Sequence, residues 1–161
     1  MQFKKILLMI VVSSLLIGCV CAASVNDFKV DDTYKNVYSG EYYSVYATND
    51  SSSGISIYKN VNDDVYDDME NDDILDNIIH HDGREYITPN DDLTLNKSSD
   101  NTANFTDMEH STIGASEVVD AGGEQFIVVA WAQNSNNATP EKVVSTLLDF
   151  NKDNSLTPVA F

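Results

Sequence analysis

Hydrophobic residues fall into three kinds of pattern along this chain, and each predicts a different element. Residues 6–23 carry no charge and show no polar face, which fits a leader better than a core helix. Alternation marks strands. Phe28 and Val30 alternate as a first strand would. Residues 42–48 (YYSVYAT) are dense in β-formers, Asn49-Asp50-Ser51-Ser52-Ser53-Gly54 reads as a turn, and Ile55-Ser56-Ile57-Tyr58-Lys59 alternates again. This predicts a hairpin with Ile55 and Ile57 facing the core and Ser56 and Tyr58 facing outward.

The third pattern is helical. Ile74, Leu75, Ile78 and Ile79 stand at i, i+1, i+4, i+5. Asp72 and Asp73 come before them, His80 and His81 follow, and Gly83 can close the helix. The same spacing recurs in Val143, Val144, Leu147 and Leu148 behind Thr139-Pro140, an N-cap with proline at the first helical position. That helix should end near Phe150 and leave 156–161 for a last strand. Between the helices, 84–88, 93–95 and a segment around Phe105 are short strand candidates. Residues 110–120 and 124–132 form a hairpin across Asp120-Ala121-Gly122-Gly123. Segment 124–132 (EQFIVVAWA) is apolar on both faces and belongs in the middle of a sheet covered on each side. The expected fold is α+β: an antiparallel sheet of about six or seven strands with two main helices packed on it. An apolar leader helix at 1–23 precedes a single domain at 24–161.

The leader predicts export. Lys4 and Lys5 precede its apolar run, the order of a secretory signal. Three fates are open. Leu16-Ile17-Gly18-Cys19 matches a lipoprotein signal, in which Cys19 becomes the lipidated first residue. Cys21-Ala22-Ala23 suits an ordinary signal peptidase and a chain starting near Ser24. Left uncleaved, residues 6–23 would span about 27 Å as a helix, enough for an anchor.

Charge narrows the function classes. The chain has 9 basic and 26 acidic residues, a net charge of −17. Such a surface repels nucleic-acid phosphates and disfavours anionic membranes. Both cysteines lie in the leader, so the body has no disulfide, no thiolate metal ligand and no thiol nucleophile. Four sequons, at Asn49, Asn96, Asn104 and Asn137, are glycosylation candidates in an exported chain.

Asp149, Asn151 and Asp153 alternate as the first ligands of a calcium loop do, with Asn154 where glycine is usual and Ala160 where a bidentate glutamate belongs. The plain alternative is a helix end followed by an Asn/Asp turn. The acidic block of 62–76 reads as a solvated face. Zinc or copper at His80, His81 and His110 would need three converging ligands, and adjacent helical residues point about 100° apart, so the three could converge only if the chain leaves helical geometry at His81; otherwise His80 and His81 read as helix-end cations. No nucleophile elbow or Ser-x-x-Lys motif occurs, and the expectation is that the protein is not an enzyme. Tyr42, Tyr43, Tyr46 and Tyr58 are candidates for a binding surface, since a tyrosine ring packs while its hydroxyl stays wet.

The order of elements resembles the PsbP/Mog1-like α+β architecture. The likeness is carried by the two hairpins, the strand at 123–132 and the closing helix-plus-strand of 140–161. A basic, apolar leader ahead of an Asn-, Asp- and Tyr-rich body is also similar to small secreted proteins of methanogenic archaea. These resemblances imply a fold and an extracytoplasmic location and bring no catalytic residue with them. Two function classes follow. The preferred one is a non-enzymatic exported or membrane-anchored domain that binds a protein or glycan at the cell envelope. The other is a divalent-cation-dependent protein, either calcium-stabilised or a metal-assisted hydrolase.

Overall fold

The computed structural model describes residues 23–60, 77–81, 84–88, 93–98, 102–107, 111–133 and 138–159. In chain order they form β1 (Lys35–Ser39), β2 (Tyr43–Ala47), β3 (Ser53–Lys59), β4 (Asn77–His81), β5 (Arg84–Thr88), β6 (Leu93–Ser98), β7 (Thr102–Asp107), β8 (Thr112–Ala121), β9 (Glu124–Gln133), α1 (Pro140–Asp153) and β10 (Thr157–Pro158). One antiparallel sheet runs β1-β2-β3-β9-β8-β7-β6, with β10 beside β8, while β4 and β5 form a separate pair. A single helix packs on the large sheet among the described residues.

The centre of the sheet follows from its sequence. Every position of β9 from Phe126 to Ala130 is apolar and buried, so the strand needs cover on both faces and takes it between β3 and β8. The β8–β9 turn uses Gly122 and Gly123 at φ 67° and 91°, a pair of left-handed residues that matches the twist of a tight hairpin. Strand β8 is long enough to share its far edge: β7 covers Thr112–Glu117, and β10 covers Val119 and Asp120.

Helix α1 starts as its sequence requires. The Thr139 side chain accepts a hydrogen bond from the Lys142 amide, Pro140 opens the first turn, and Lys152 stands in the last. Val143, Leu147 and Phe150 turn inward onto Ile55, Ile57, Ala115, Phe126 and Val128. Burial of such side chains stabilises by about 1.5–3 kcal/mol each. Beyond the helix, Asn154 ties down the N-terminal segment. Its Oδ1 accepts from the Lys29 amide at 2.7 Å and its Nδ2 donates to the Lys29 carbonyl at 2.8 Å.

Four expectations are corrected. Residues 77–81 are a strand, paired with β5 so that His81 meets Arg84 across two intervening residues. The antiparallel pairing with β5 prevails over the helical spacing of the isoleucines; Ile74, Leu75, Gly83 and the acidic block fall outside the described residues. Phe28 and Val30 form no strand. They pack against the helix-side core instead, with the Phe28 ring edge-on to Phe126 at 4.9 Å and 83°. The closing helix runs to Asp153, past Phe150. Finally, Ser56 and Tyr58 are buried rather than outward, because the face opposite α1 is also a core.

That second face carries Tyr43, Val45, Tyr58, Phe105, Val118, Ile127 and Val129, all buried, and β5 lies against β8 and β9. Its packing is tight at two glycines. A Cβ on Gly114 would stand 2.1 Å from the Phe105 ring, and one on Gly54 would stand 2.3 Å from Trp131. Both positions exclude any larger residue without movement of an aromatic ring.

Candidate functional site

The described surface is least like a solvated face at β1, the first strand of the sheet order. All five of its residues are exposed, and it pairs with β2 on one side. Two of them are large hydrophobics, Val37 at 60% and Tyr38 at 43% exposure. The register shifts between Asn36 and Tyr38, so Val37 is the extra residue of a bulge. A bulge twists an edge strand and discourages continuous pairing with another sheet. The edge therefore offers side chains more readily than a backbone ladder.

Tyr38 is held in place from below. Its ring stacks on Tyr43 with centroids 4.2 Å apart and planes at 11°, and Tyr43 stacks on Tyr58 at 5.7 Å and 18°. The turn leading to β2 is pinned by the Gly40 amide donating to the Tyr43 carbonyl at 2.9 Å and by Asn26 Nδ2 donating to the Gly40 carbonyl at 3.0 Å. A Cβ on Gly40 would come within 2.9 Å of the Tyr38 ring, so this glycine lets the ring lie flat across the turn. An exposed ring on a fixed base loses little freedom when a partner covers it.

Charge around the edge also differs from the rest of the chain. Of 26 acidic residues, five (Asp27, Asp31, Asp32, Glu41 and Asp50) fall within residues 24–60, against three lysines there, Lys29, Lys35 and Lys59. The remaining 21 acids lie beyond, beside four basic residues. The strand with the exposed apolar side chains thus belongs to the most nearly neutral part of the body.

The tyrosines expected on the surface are distributed otherwise. Tyr43 and Tyr58 are buried, Tyr42 is half-buried, and Tyr46 is half-buried against the helix-side core. Strand order explains this: β2 and β3 are covered on both faces, and the stack reaches solvent only at Tyr38. In sequence, Val37 and Tyr38 are adjacent and break the alternation that reveals a strand. The crowding of tyrosines over 34–46 takes in Tyr38 without singling it out.

Asp149, Asn151 and Asp153 stand on α1 and not in a loop. Asp149 and Asp153 are exposed, whereas Asn151 is buried and donates through Nδ2 to the buried Glu117 carboxylate on β8. Helical geometry turns Asn151 about 200° away from Asp149, so the three are not brought together. No group of three His, Cys, Asp or Glu side chains able to hold a metal occurs among the described residues. Cys19 and Asn137 lie outside the described residues, Asn96 is on β6, Asn104 is half-buried on β7, and Asn49 is exposed at the tip of the β2–β3 hairpin.

That tip is organised by Asp50. Its Oδ1 accepts from Thr48 Oγ1 at 2.7 Å, Ser52 Oγ at 2.8 Å and the Ser52 amide at 3.2 Å. The Thr48 hydroxyl leads these bonds in lowering the Asp50 carboxyl from 3.8 to about 2. Next to the hairpin, a cleft of about 220 Å³ opens between α1 and the sheet, walled by Tyr34, Ser52, Trp131, Lys142 and Thr146. The titratable side chains of its lining are Tyr34 and Lys142. No protein-family model, curated protein or solved structure matches this chain.

Proposed function

We propose that this chain is an exported, non-enzymatic domain that binds a protein partner at the cell envelope through the β1 edge. The observation that carries the reading is the pairing of Val37 and Tyr38, two exposed hydrophobics side by side on an edge strand and backed by a buried aromatic stack. Tyrosine is suited to such a role because it contributes large contact area at low entropic cost and keeps a hydroxyl for the rim. The near-neutral charge of this region supports the same choice, since a partner there meets little repulsion. Export rests on the Lys4-Lys5 pair and the uncharged run that follows it. The antiparallel sheet closed by α1 and β10 supports a PsbP/Mog1-like arrangement for residues 24–161 as one domain.

The test is chemical crosslinking on intact native cells followed by recovery of this chain. The wild type should yield a discrete adduct that Val37→Asp and Tyr38→Ala each reduce at least tenfold. An adduct of unchanged yield in both variants would overturn the β1 assignment. Recovery of the chain from the cytosol with residues 1–23 intact would overturn export.

A further inference from the structure

We infer that Asn49 is an N-glycosylation site of the folded domain and that Asn104, which carries the same sequence signal, is not. The inference rests on the export reading, because the saccharide is added on the far side of the membrane. Both asparagines head an Asn-x-Ser/Thr triplet, and their settings are opposite.

At the hairpin tip the residues on either side of the acceptor hold the turn. Thr48, Asp50 and Ser52 bond to one another through their side chains, and the Ser51 amide donates to the Thr48 carbonyl at 2.8 Å. Ser51 takes the left-handed conformation, φ 54°, which turns it outward. Asn49 and Ser51, the two residues of the triplet that a transferase must read, are both exposed. Neither side chain has a hydrogen-bond partner among the described residues. The turn therefore keeps its own fastening when Asn49 is modified.

Asn104 lies in the middle of β7, opposite Lys97 of β6 and Ala115 of β8. Its Oδ1 is buried with no hydrogen-bond partner among the described residues. Asn104 is half-buried within a strand paired on both sides, so a saccharide on its carboxamide would have to displace the neighbours packed around it, which the exposed hairpin tip does not require.

The step is a simple displacement. The Asn49 Nδ2 attacks the anomeric carbon of a lipid-diphosphate-linked oligosaccharide. The new N–C bond replaces the C–O bond to the diphosphate, the lipid diphosphate leaves with the bonding pair, and the Nδ2 proton passes to a base on the transferase. No oxidant or reductant is needed.

Peptide mapping by mass spectrometry tests the inference on the full chain from its native cells, taken from the fraction that protease added to whole cells can reach. The peptide containing Asn49 should carry a saccharide increment and the peptide containing Asn104 should not. Asn49→Gln and Ser51→Ala should each abolish the increment, and Asn104→Gln should leave it unchanged. A surface-accessible chain with bare Asn49 would overturn the inference while export stands, as would a folded chain bearing its saccharide at Asn104. A chain wholly shielded from the protease would overturn the export reading and this inference together.

Discussion

Tyr58 and Tyr38 are the two ends of one aromatic stack. Tyr58 is fully buried on β3, Tyr38 is nearly half exposed on β1, and Tyr43 links them. Three residues of one type therefore divide into core and surface according to strand order. A strand with neighbours on both sides and cover on both faces converts its tyrosines into packing. The strand at the end of the order leaves its tyrosine to solvent, supported by the ones behind it. The edge inherits its rigidity from the centre, so the contact proposed at Val37 and Tyr38 has a fixed base rather than loose apolar side chains.

This contrast can be broken from either side. The largest effect is expected at the centre: Phe126→Ala, which removes a fully buried ring from β9, should destabilise the domain by about 3–5 kcal/mol, read as a large drop in the urea midpoint. Next comes the polar tie between helix and sheet. Asn151→Ala removes the donor to the buried Glu117 carboxylate and should cost about 1–3 kcal/mol in the same denaturation series. At the edge, Tyr38→Ala removes a half-exposed ring and its stack on Tyr43 and should cost about 1 kcal/mol while removing the crosslinked adduct; a collapse in stability there would mean that β1 is part of the core.

The smallest effect is confined to one carboxyl. With its folded value lowered to about 2, Asp50 should favour the folded turn above the ordinary carboxylate range and lose that preference as pH falls through about 2. Side-chain NMR titration should place its midpoint there, and Thr48→Ala should move it upward by removing the leading hydrogen bond. In a melt, millimolar calcium or EDTA should leave the midpoint unmoved, whereas a calcium site filled at a hundredfold its Kd would add about 2.7 kcal/mol.

The parts of the fold legible in sequence are those where local and long-range demands coincide. β9 announces a central strand by being apolar at consecutive positions. Thr139-Pro140 and the Val143–Leu147 spacing announce α1 because cap and apolar face agree. Elsewhere the two demands part. The isoleucines at 78 and 79 fit a helical face, yet they pair with Ile87 and Tyr86 across an antiparallel strand pair. Ser56 and Tyr58 alternate with Ile55 and Ile57 like an outward set, and nothing local reveals that a second layer covers them. Asn151 looks like a loop ligand until the helix carries it beneath itself to Glu117. The candidate surface was hidden for a related reason: a bulge at Val37 removes the alternation by which an edge strand is recognised.

The account turns on β1 as the contact, and site-specific photocrosslinking on intact cells tests it most directly. A benzophenone side chain is placed at position 39, on β1 beside Tyr38, and in a second version at position 145, exposed on α1. Irradiation should give a discrete heavier species from position 39 that disappears with Tyr38→Ala, and none from position 145. Equal adducts from both positions, or none from position 39 in a chain that reaches the cell surface, would contradict it.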